Sequence, residues 1–261
     1  MYIASLSSSS TCGNAYVVWG DRGRPVLFDC GVPIRRLVAC LREFGIEPQD
    51  LAGLFITHEH SDHVKAMCLV TPFAQKYRTP VYASRGFWKW YSRYACRLDR
   101  DLMRPIAAGE EVVVSKSRVR AFSKPHDASE PLGFVVELED ERAGFATDLG
   151  YVTEEVESCL RGIEYLVFES NHDVDMEKRS GRPWPLIQRV IGSLGHLSND
   201  QAAQALSDLV TAETKQVILS HLSTECNTPE IARSVVEKSL KRAGKTVAVQ
   251  VAPAREIAVY S

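Results

Sequence analysis

The stretch FITHEHSDHV, residues 55–64, places three histidines, a glutamate and an aspartate within six positions, directly after an apolar run. Crowding imidazoles and carboxylates at the end of a buried strand is costly unless something compensates them. In an extended or turning segment, residues i and i+2 project to the same side. His58 and His60 can therefore share one ion, with Glu59 turned away. Asp62 and His63 continue around the turn toward a second ion, ahead of a helix expected from Val64. Imidazole and carboxylate together suit Zn²⁺, Mn²⁺ or Fe²⁺. The alternative is a polar turn whose histidines only hydrogen-bond, and the density of the cluster argues against it.

The surrounding chain fits such a site. Its 261 residues are 45% hydrophobic and 25% charged, as expected of a globular protein, and no linker or repeat divides them. One domain spanning 1–261 is expected. The net charge of −2 recruits neither nucleic acid nor membrane globally, so an acidic partner must meet a local patch. Seven cysteines, at 12, 30, 40, 68, 96, 159 and 226, are odd in number and form no C-x-x-C pair. That reads as reduced thiols, most of them buried, in a cytoplasmic protein. Residues 1–10, MYIASLSSSS, lack the basic start and apolar stretch of a leader. No apolar run approaches the roughly 20 residues of a membrane span, so no membrane partner is expected.

Strand-like runs are expected at Tyr2–Ser5, Ala15–Trp19, Val26–Asp29, Gly53–Thr57, Val81–Ala83, Val112–Val114, Val119–Ser123, Phe134–Glu139, Gly144–Thr147, Tyr165–Glu169, Val217–Ser220 and Val247–Ala252. Helical spacing marks Pro33–Phe44, Val64–Tyr77, Arg85–Arg97, Pro185–Leu194, Asn199–Thr211 and Pro229–Ala243. The pattern is α/β, with helices covering extended sheets. The seven histidines, at 58, 60, 63, 126, 172, 196 and 221, each follow an apolar run or sit beside a turn signal.

Thr57–His63 resembles the H-x-H-x-D-H signature of the metallo-β-lactamase superfamily. VLFDCG offers that family's early aspartate at Asp29, KPHDASEPLGF its third histidine at His126, GFATDLG its bridging aspartate at Asp148, and VILSHLS its last histidine at His221. The resemblance implies an αββα four-layer sandwich. It implies one metal on His58, His60 and His126, a second on Asp62, His63 and His221, and Asp148 between them. Two divalent ions, Zn or Mn, would then share a hydroxide nucleophile, since metal binding lowers the pKa of water toward about 7. Asp29 would brace the histidine loop; an ordinary turn aspartate is the other reading.

No Pro-Gly-His follows His126, which resembles the tRNase Z and phosphodiesterase side of the family. LGHLSNDQAAQAL resembles the tRNase Z GHSS…AA motif and implies that His196 protonates the leaving alkoxide, although a turn or cap histidine fits the position too. Asp62 and His196 are the catalytic candidates. The chain resembles most nearly the WalJ/YycJ branch, through SLSSSSTCGNA, THEHSDH, PHDASEPLGF, TDLGYV, FESNHD and GHLSN. FESNHD adds Glu169, Asn171, His172 and Asp173, which either support the ligands or shape the rim. The branch implies a DNA exonuclease acting 5′ to 3′. A small-molecule metallo-hydrolase (thioester, lactone or cyclic phosphodiester) and a tRNase Z-like RNA-processing nuclease are the alternatives.

Residues 84–104 suggest how nucleic acid is met. On one continuous helix, Arg85, Lys89, Arg93, Arg97, Arg100 and Arg104 would share an arc of roughly 120°, with Trp90 nearest and Phe87, Trp88, Tyr91 and Tyr94 on the remaining surface. Such a stripe tracks phosphates, or it is a solvated helix face. Lys178, Arg179 and Arg182 near Trp184 form a second basic run, expected in a loop at the mouth. The Ser7–Asn14 turn either offers donors to a phosphate or simply joins two strands.

Overall fold

The computed structural model describes residues 1–68, 71–93 and 97–261. Tyr94 and Cys96 lie outside the described residues. The strands are β1 Tyr2–Ser9, β2 Gly13–Trp19, β3 Val26–Phe28, β4 Gly53–Phe55, β5 Val81–Ala83, β6 Met103–Pro105, β7 Glu111–Val114, β8 Ser117–Ser123, β9 Leu132–Leu138, β10 Glu141–Ala146, β11 Tyr165–Glu169, β12 Gln216–Ser220, β13 Ala248–Val251 and β14 Ala258–Tyr260. The helices are α1 Ile34–Glu43, α2 Ser61–Val64, α3 Phe73–Tyr77, α4 Arg85–Tyr91, α5 Glu154–Leu160, α6 Val174–Arg179, α7 Trp184–Ile191, α8 Asn199–Leu209 and α9 Pro229–Arg242.

Among the described residues the strands form two seven-stranded sheets, ordered β14-β1-β2-β3-β4-β5-β6 and β13-β12-β11-β10-β9-β8-β7. Side-chain alternation sorts each strand between two cores. In β2, Tyr16 and Val18 face the opposite sheet, while Ala15 and Val17 face α1 and α4. In β11, Tyr165 and Val167 face the first sheet, while Leu166 and Phe168 face α5, α8 and α9. Helix, sheet, sheet and helix therefore stack as the αββα sandwich expected from the sequence. Phe28 and Phe145 stack at 4.3 Å across the central layer, with Phe55 and Phe134 beside them. Burying each ring contributes about 1.5–3 kcal/mol.

β3 to β6 run parallel, and so do β10 to β13. The loops leaving β3, β4, β10, β11 and β12 carry Asp29, His58–His63, Asp148, Glu169–Asp173 and His221. The two sheets are tied at this edge by a bridge between Ser9 and Leu222 and by a hydrogen bond from Leu132 N to Thr57 O. β9 and β10 form the short hairpin anticipated between Phe134 and Asp148.

Several expectations need correction. β6 and β14 were not anticipated; each is three residues long, and β6 ends in proline. α5 and α6 were missed as well. The helix expected over Val64–Tyr77 divides into α2 and α3, because Pro72 cannot continue a helix and instead caps α3. The helix expected over Arg85–Arg97 ends at Tyr91. Arg100 sits in a single 3₁₀ turn and Arg104 on β6, so no continuous helix gathers the six basic residues on one face. Lys178 and Arg179 lie on α6, not on a loop, and Arg182 is held by the buried Glu177 and by Glu225. Of the described cysteines, all free, Cys30, Cys40 and Cys226 are buried and Cys12, Cys68 and Cys159 are partly exposed. No helix of the described residues is long and apolar enough to cross a membrane.

Candidate metal centre

Three residues of the site hold left-handed backbone without being glycine: Asp29 (φ 55°), Asp148 (φ 55°) and His221 (φ 58°). Each follows the end of a strand, and such a conformation costs of order 1–3 kcal/mol unless the surroundings enforce it. They do enforce it here. Asp29 N donates to Phe55 O at 2.9 Å, and His221 N donates to Ser8 Oγ at 2.8 Å. Asp148 N donates to Glu169 Oε1 at 3.2 Å, while the buried Lys124 amine donates to Thr147 O and Asp148 O. The turn aims each side chain inward over the sheet edge.

Two ligand groups result. His58, His60, His126 and Asp148 bring one atom each within 4.8 Å of one another, and so do Asp62, His63, Asp148 and His221. In the first, His60 Nδ1 lies 3.1 Å from His58 Nε2 and 3.2 Å from His126 Nε2, and Asp148 Oδ1 lies 3.8 and 3.6 Å from those two Nε2 atoms. In the second, Asp62 Oδ2 lies 3.3 Å from His221 Nε2 and 3.4 Å from His63 Nε2, and Asp148 Oδ2 lies 3.0 Å from His63 Nε2. Asp148 Oδ1 also lies 3.6 Å from His221 Nε2, so the carboxylate stands between the two groups and within reach of both. The groups are exposed on one side, where the His60, Asp62 and His196 side chains keep 28%, 21% and 15% of their surface.

The outward nitrogens of four histidines are fixed. His58 Nδ1 meets Thr57 Oγ1 at 2.9 Å, His63 Nδ1 donates to Asp29 Oδ2 at 2.7 Å, His126 Nδ1 donates to Gly195 O at 3.1 Å, and His221 Nδ1 donates to Glu169 Oε1 at 2.8 Å. An imidazole that donates through Nδ1 presents its lone pair through Nε2, the tautomer a metal needs. Asp29 also accepts from the Thr57 amide and hydroxyl, so it braces the strand end and the histidine together.

Burial and charge pull these groups apart. Burial, with the nearby His63 charge, pushes His58 well below its usual range. Burial also pushes His126 down to about 3. At His63 and His221 burial acts the same way, but the carboxylates around them win. Asp148, Asp62 and Asp29 hold His63 well above its range, and Asp148, Asp62 and Glu169 hold His221 up to about 10. Burial works against ionisation of Asp148 too, yet His221, His63 and His58 keep it well below the carboxylate range. Without a cation, protons on His63 and His221 neutralise the acids. The donor set fits divalent cations: three nitrogens of the first group face one another at hydrogen-bond distance, and the buried Asp148 carboxylate is surrounded by imidazoles of both groups.

Residues 24–222 match the beta-lactamase superfamily domain. The chain belongs to the metallo-β-lactamase superfamily. Membership makes it a metal-dependent hydrolase, with divalent metal as its cofactor. The protein named Exodeoxyribonuclease YycJ from Bacillus anthracis is 32% identical over 244 residues, which cover 94% of this chain and 90% of that protein. Exodeoxyribonuclease WalJ from Streptococcus pneumoniae serotype 2 (strain D39 / NCTC 7466) is 29% identical over 247 residues, with 94% and 90% covered. The crystal structure of the metallo-beta-lactamase fold protein YhfI from Bacillus subtilis superposes with a TM-score of 0.73 at 12% identity, covering 99% of this chain and 98% of that one. That likeness concerns the fold alone.

In this superfamily member Glu169 is a hub. It is fully buried and accepts from Asp148 N, Leu149 N, Leu197 N, His196 Nδ1 and His221 Nδ1. Glu169, His196, His221 and Asp148 also fall within ligand distance of one another, but the two carboxylate oxygens of Glu169 are already committed to those five donors. Asn171 donates to His221 O at 2.8 Å. His172 is buried behind the site, and Asp173 caps α6 by accepting from Asp175 N and Met176 N.

Several contributors escaped the sequence reading. Asn14 Nδ2 reaches Asp62 Oδ2 at 3.2 Å and His63 Nε2 at 3.1 Å, so the Ser7–Asn14 hairpin turn serves the site directly. Gly31 makes room for it, since a Cβ there would stand 1.5 Å from Asp62 O. Asp127, next to His126, pairs with Arg189 of α7 at the mouth. Asn14, Thr57 and Asp127 sit inside quoted motifs and were legible. Lys124 opens the quoted KPHDASEPLGF as well, whereas Arg189 carried no local signal.

Proposed function

We propose that the chain is a metal-dependent phosphodiesterase acting on nucleic acid, a DNA exonuclease working 5′ to 3′, and that residues 1–261 act as one domain. The observation that carries the reading is Asp148, which lies within ligand distance of both groups while His196 stands beside them. His58, His60 and His126 would hold one ion, Asp62, His63 and His221 the other, with Asp148 shared. When bound, two Zn or Mn ions supply an activated water and neutralise charge on the phosphate. The chain's own residues do the rest. Asp62, partly exposed, orients the attacking water through its carboxylate. Glu169 fixes the His196 ring through Nδ1, leaving Nε2 to carry a proton to the leaving oxygen. Asp29, Thr57, Asn171 and Asn14 hold the ligands in place. The exodeoxyribonuclease names of relatives matched along 94% of this chain support DNA as the polymer, and the free thiols of the described cysteines are in keeping with a cytoplasmic setting.

The test is purified protein with Mn²⁺ or Zn²⁺ against end-labelled duplex DNA, single-stranded DNA, RNA and a thioester. Stepwise shortening of DNA from its 5′ end is expected. Thioester hydrolysis without nucleic-acid cleavage would return the chain to the small-molecule hydrolases, and preference for RNA to the tRNase Z-like nucleases.

A further inference from the structure

The first turn of α4 docks on the segment that follows His126. Ser84 Oγ donates to Ser129 O at 3.3 Å, and Gly86 N–H donates to the Glu130 carboxylate. A Cβ at residue 86 would stand 2.5 Å from Ser129 O, so glycine is what lets the two backbones meet. Glu130 adopts left-handed backbone, φ 53°, to complete the contact. Ser129 N in turn donates to Glu59 Oε1 at 2.8 Å, which gives a role to the acid between His58 and His60. The junction is therefore fixed to both ligand loops.

At this junction opens a pocket of about 410 Å³, lined by Arg85, Lys89, Trp90, Arg93, Ser129 and Glu130. Arg85, Lys89 and Arg93 are exposed and spaced at i, i+4 and i+8. Among the described residues, none of these three side chains has an ion-pair or hydrogen-bond partner. Arg85 and Lys89, one turn apart on α4, repel each other and disfavour the helix, and Arg93 lies in the turn just beyond its end. The one acid in the wall, Glu130, is occupied by Gly86 N–H. Three cations against the single Glu130 carboxylate leave the wall of the cavity positive, an arrangement that an anion stabilises.

We propose that this pocket binds a backbone phosphate of the nucleic-acid strand a few nucleotides from the bond that is cut. The inference rests on the nuclease reading. Ser129 is three residues from His126, at most about 11 Å along the chain. A stacked duplex strand rises about 3.4 Å per nucleotide, so this bound corresponds to at most about three nucleotides. Trp90, packed against Phe87 and Tyr91, forms the aromatic part of the same wall. Arg97, Arg100 and Arg104 are not needed.

The test compares wild type with Lys89→Gln/Arg93→Gln, using Mn²⁺-loaded protein. The probes are a labelled single-stranded DNA long enough to reach the pocket, a dinucleotide too short to reach it, and bis(p-nitrophenyl) phosphate. Loss of two phosphate contacts should flatten the log–log salt dependence of binding by about 1.4 units on single strands. The kcat/KM ratio of long DNA to dinucleotide should fall about tenfold or more, through KM. Equal losses on all three probes, or an unchanged salt slope and ratio, overturn the pocket while leaving the nuclease reading intact. Wild type that neither binds nor cuts the long DNA, yet hydrolyses the small diester, overturns both. Arg85→Gln should lower the same ratio, which keeps the test decisive if the double variant melts early.

Discussion

Glu169→Gln is the most informative single change, because it preserves shape and alters only what the side chain can accept. Oε1 accepts from Asp148 N, His196 Nδ1 and His221 Nδ1, and Oε2 accepts from Leu149 N and Leu197 N. A glutamine has one acceptor oxygen and one NH₂. If the NH₂ replaces Oε2, two buried backbone N–H groups lose their partner, at about 1–3 kcal/mol each, or 2–6 kcal/mol in all. If it replaces Oε1, only Asp148 N is orphaned, but both histidines must accept at Nδ1 and so carry a proton at Nε2. His221 in that tautomer cannot ligate. Once the Glu169 charge that helps to hold the His221 proton is gone, the metal-free variant takes the second arrangement with His221 neutral, and metal must drive it into the first. The difference, one more orphaned N–H at about 1–3 kcal/mol, lowers metal affinity about 5- to 150-fold. Urea denaturation with and without Zn²⁺ measures the first cost, and competition with a chelator measures the second. Wild-type stability together with wild-type metal affinity would refute the hub.

Three further outcomes are expected. Asp148→Asn and His60→Ala should each abolish hydrolysis and reduce bound metal in elemental analysis; full metal content in both would sink the ligand assignment. His196→Ala should keep its metal and lose about 10²–10⁴-fold in kcat on DNA, with a much smaller loss on bis(p-nitrophenyl) phosphate, whose leaving group needs no proton. In metal-free protein the His221 proton, held to about 10 against burial by Asp148, Asp62 and Glu169, contributes stability present in full below its unfolded pKa of roughly 6.5. That contribution is lost as pH rises toward 10. The urea midpoint of chelator-treated wild type should therefore fall more steeply over this window than that of His221→Gln, and parallel slopes would contradict it.

The sequence by itself determined the fold and singled out the histidines and aspartates that the structure gathers into two candidate ligand groups. The short apolar runs of β2 and β11 are a local signal, since a strand between two cores is buried on both faces. The ligands were legible because they sit at strand ends inside short motifs, THEHSDH, KPHD, ATDLG and LSHLS, where few other reasons exist for a histidine or aspartate. Two kinds of information were not local. The helix over Arg85–Arg97 rested on periodicity alone, and tertiary contacts overrode it: α4 stops at Tyr91, and the chain turns so that Asp99 N can meet Gln75 Oε1. That break redistributes six apparently aligned cations and leaves three around a pocket. The second kind is the support of the ligands. Lys124 on the Asp148 carbonyl, Ser8 on the His221 amide and Glu169 on five donors each join residues far apart in sequence. Whether a buried polar atom is satisfied depends on what folding brings within 3 Å of it, and no spacing along the chain records that.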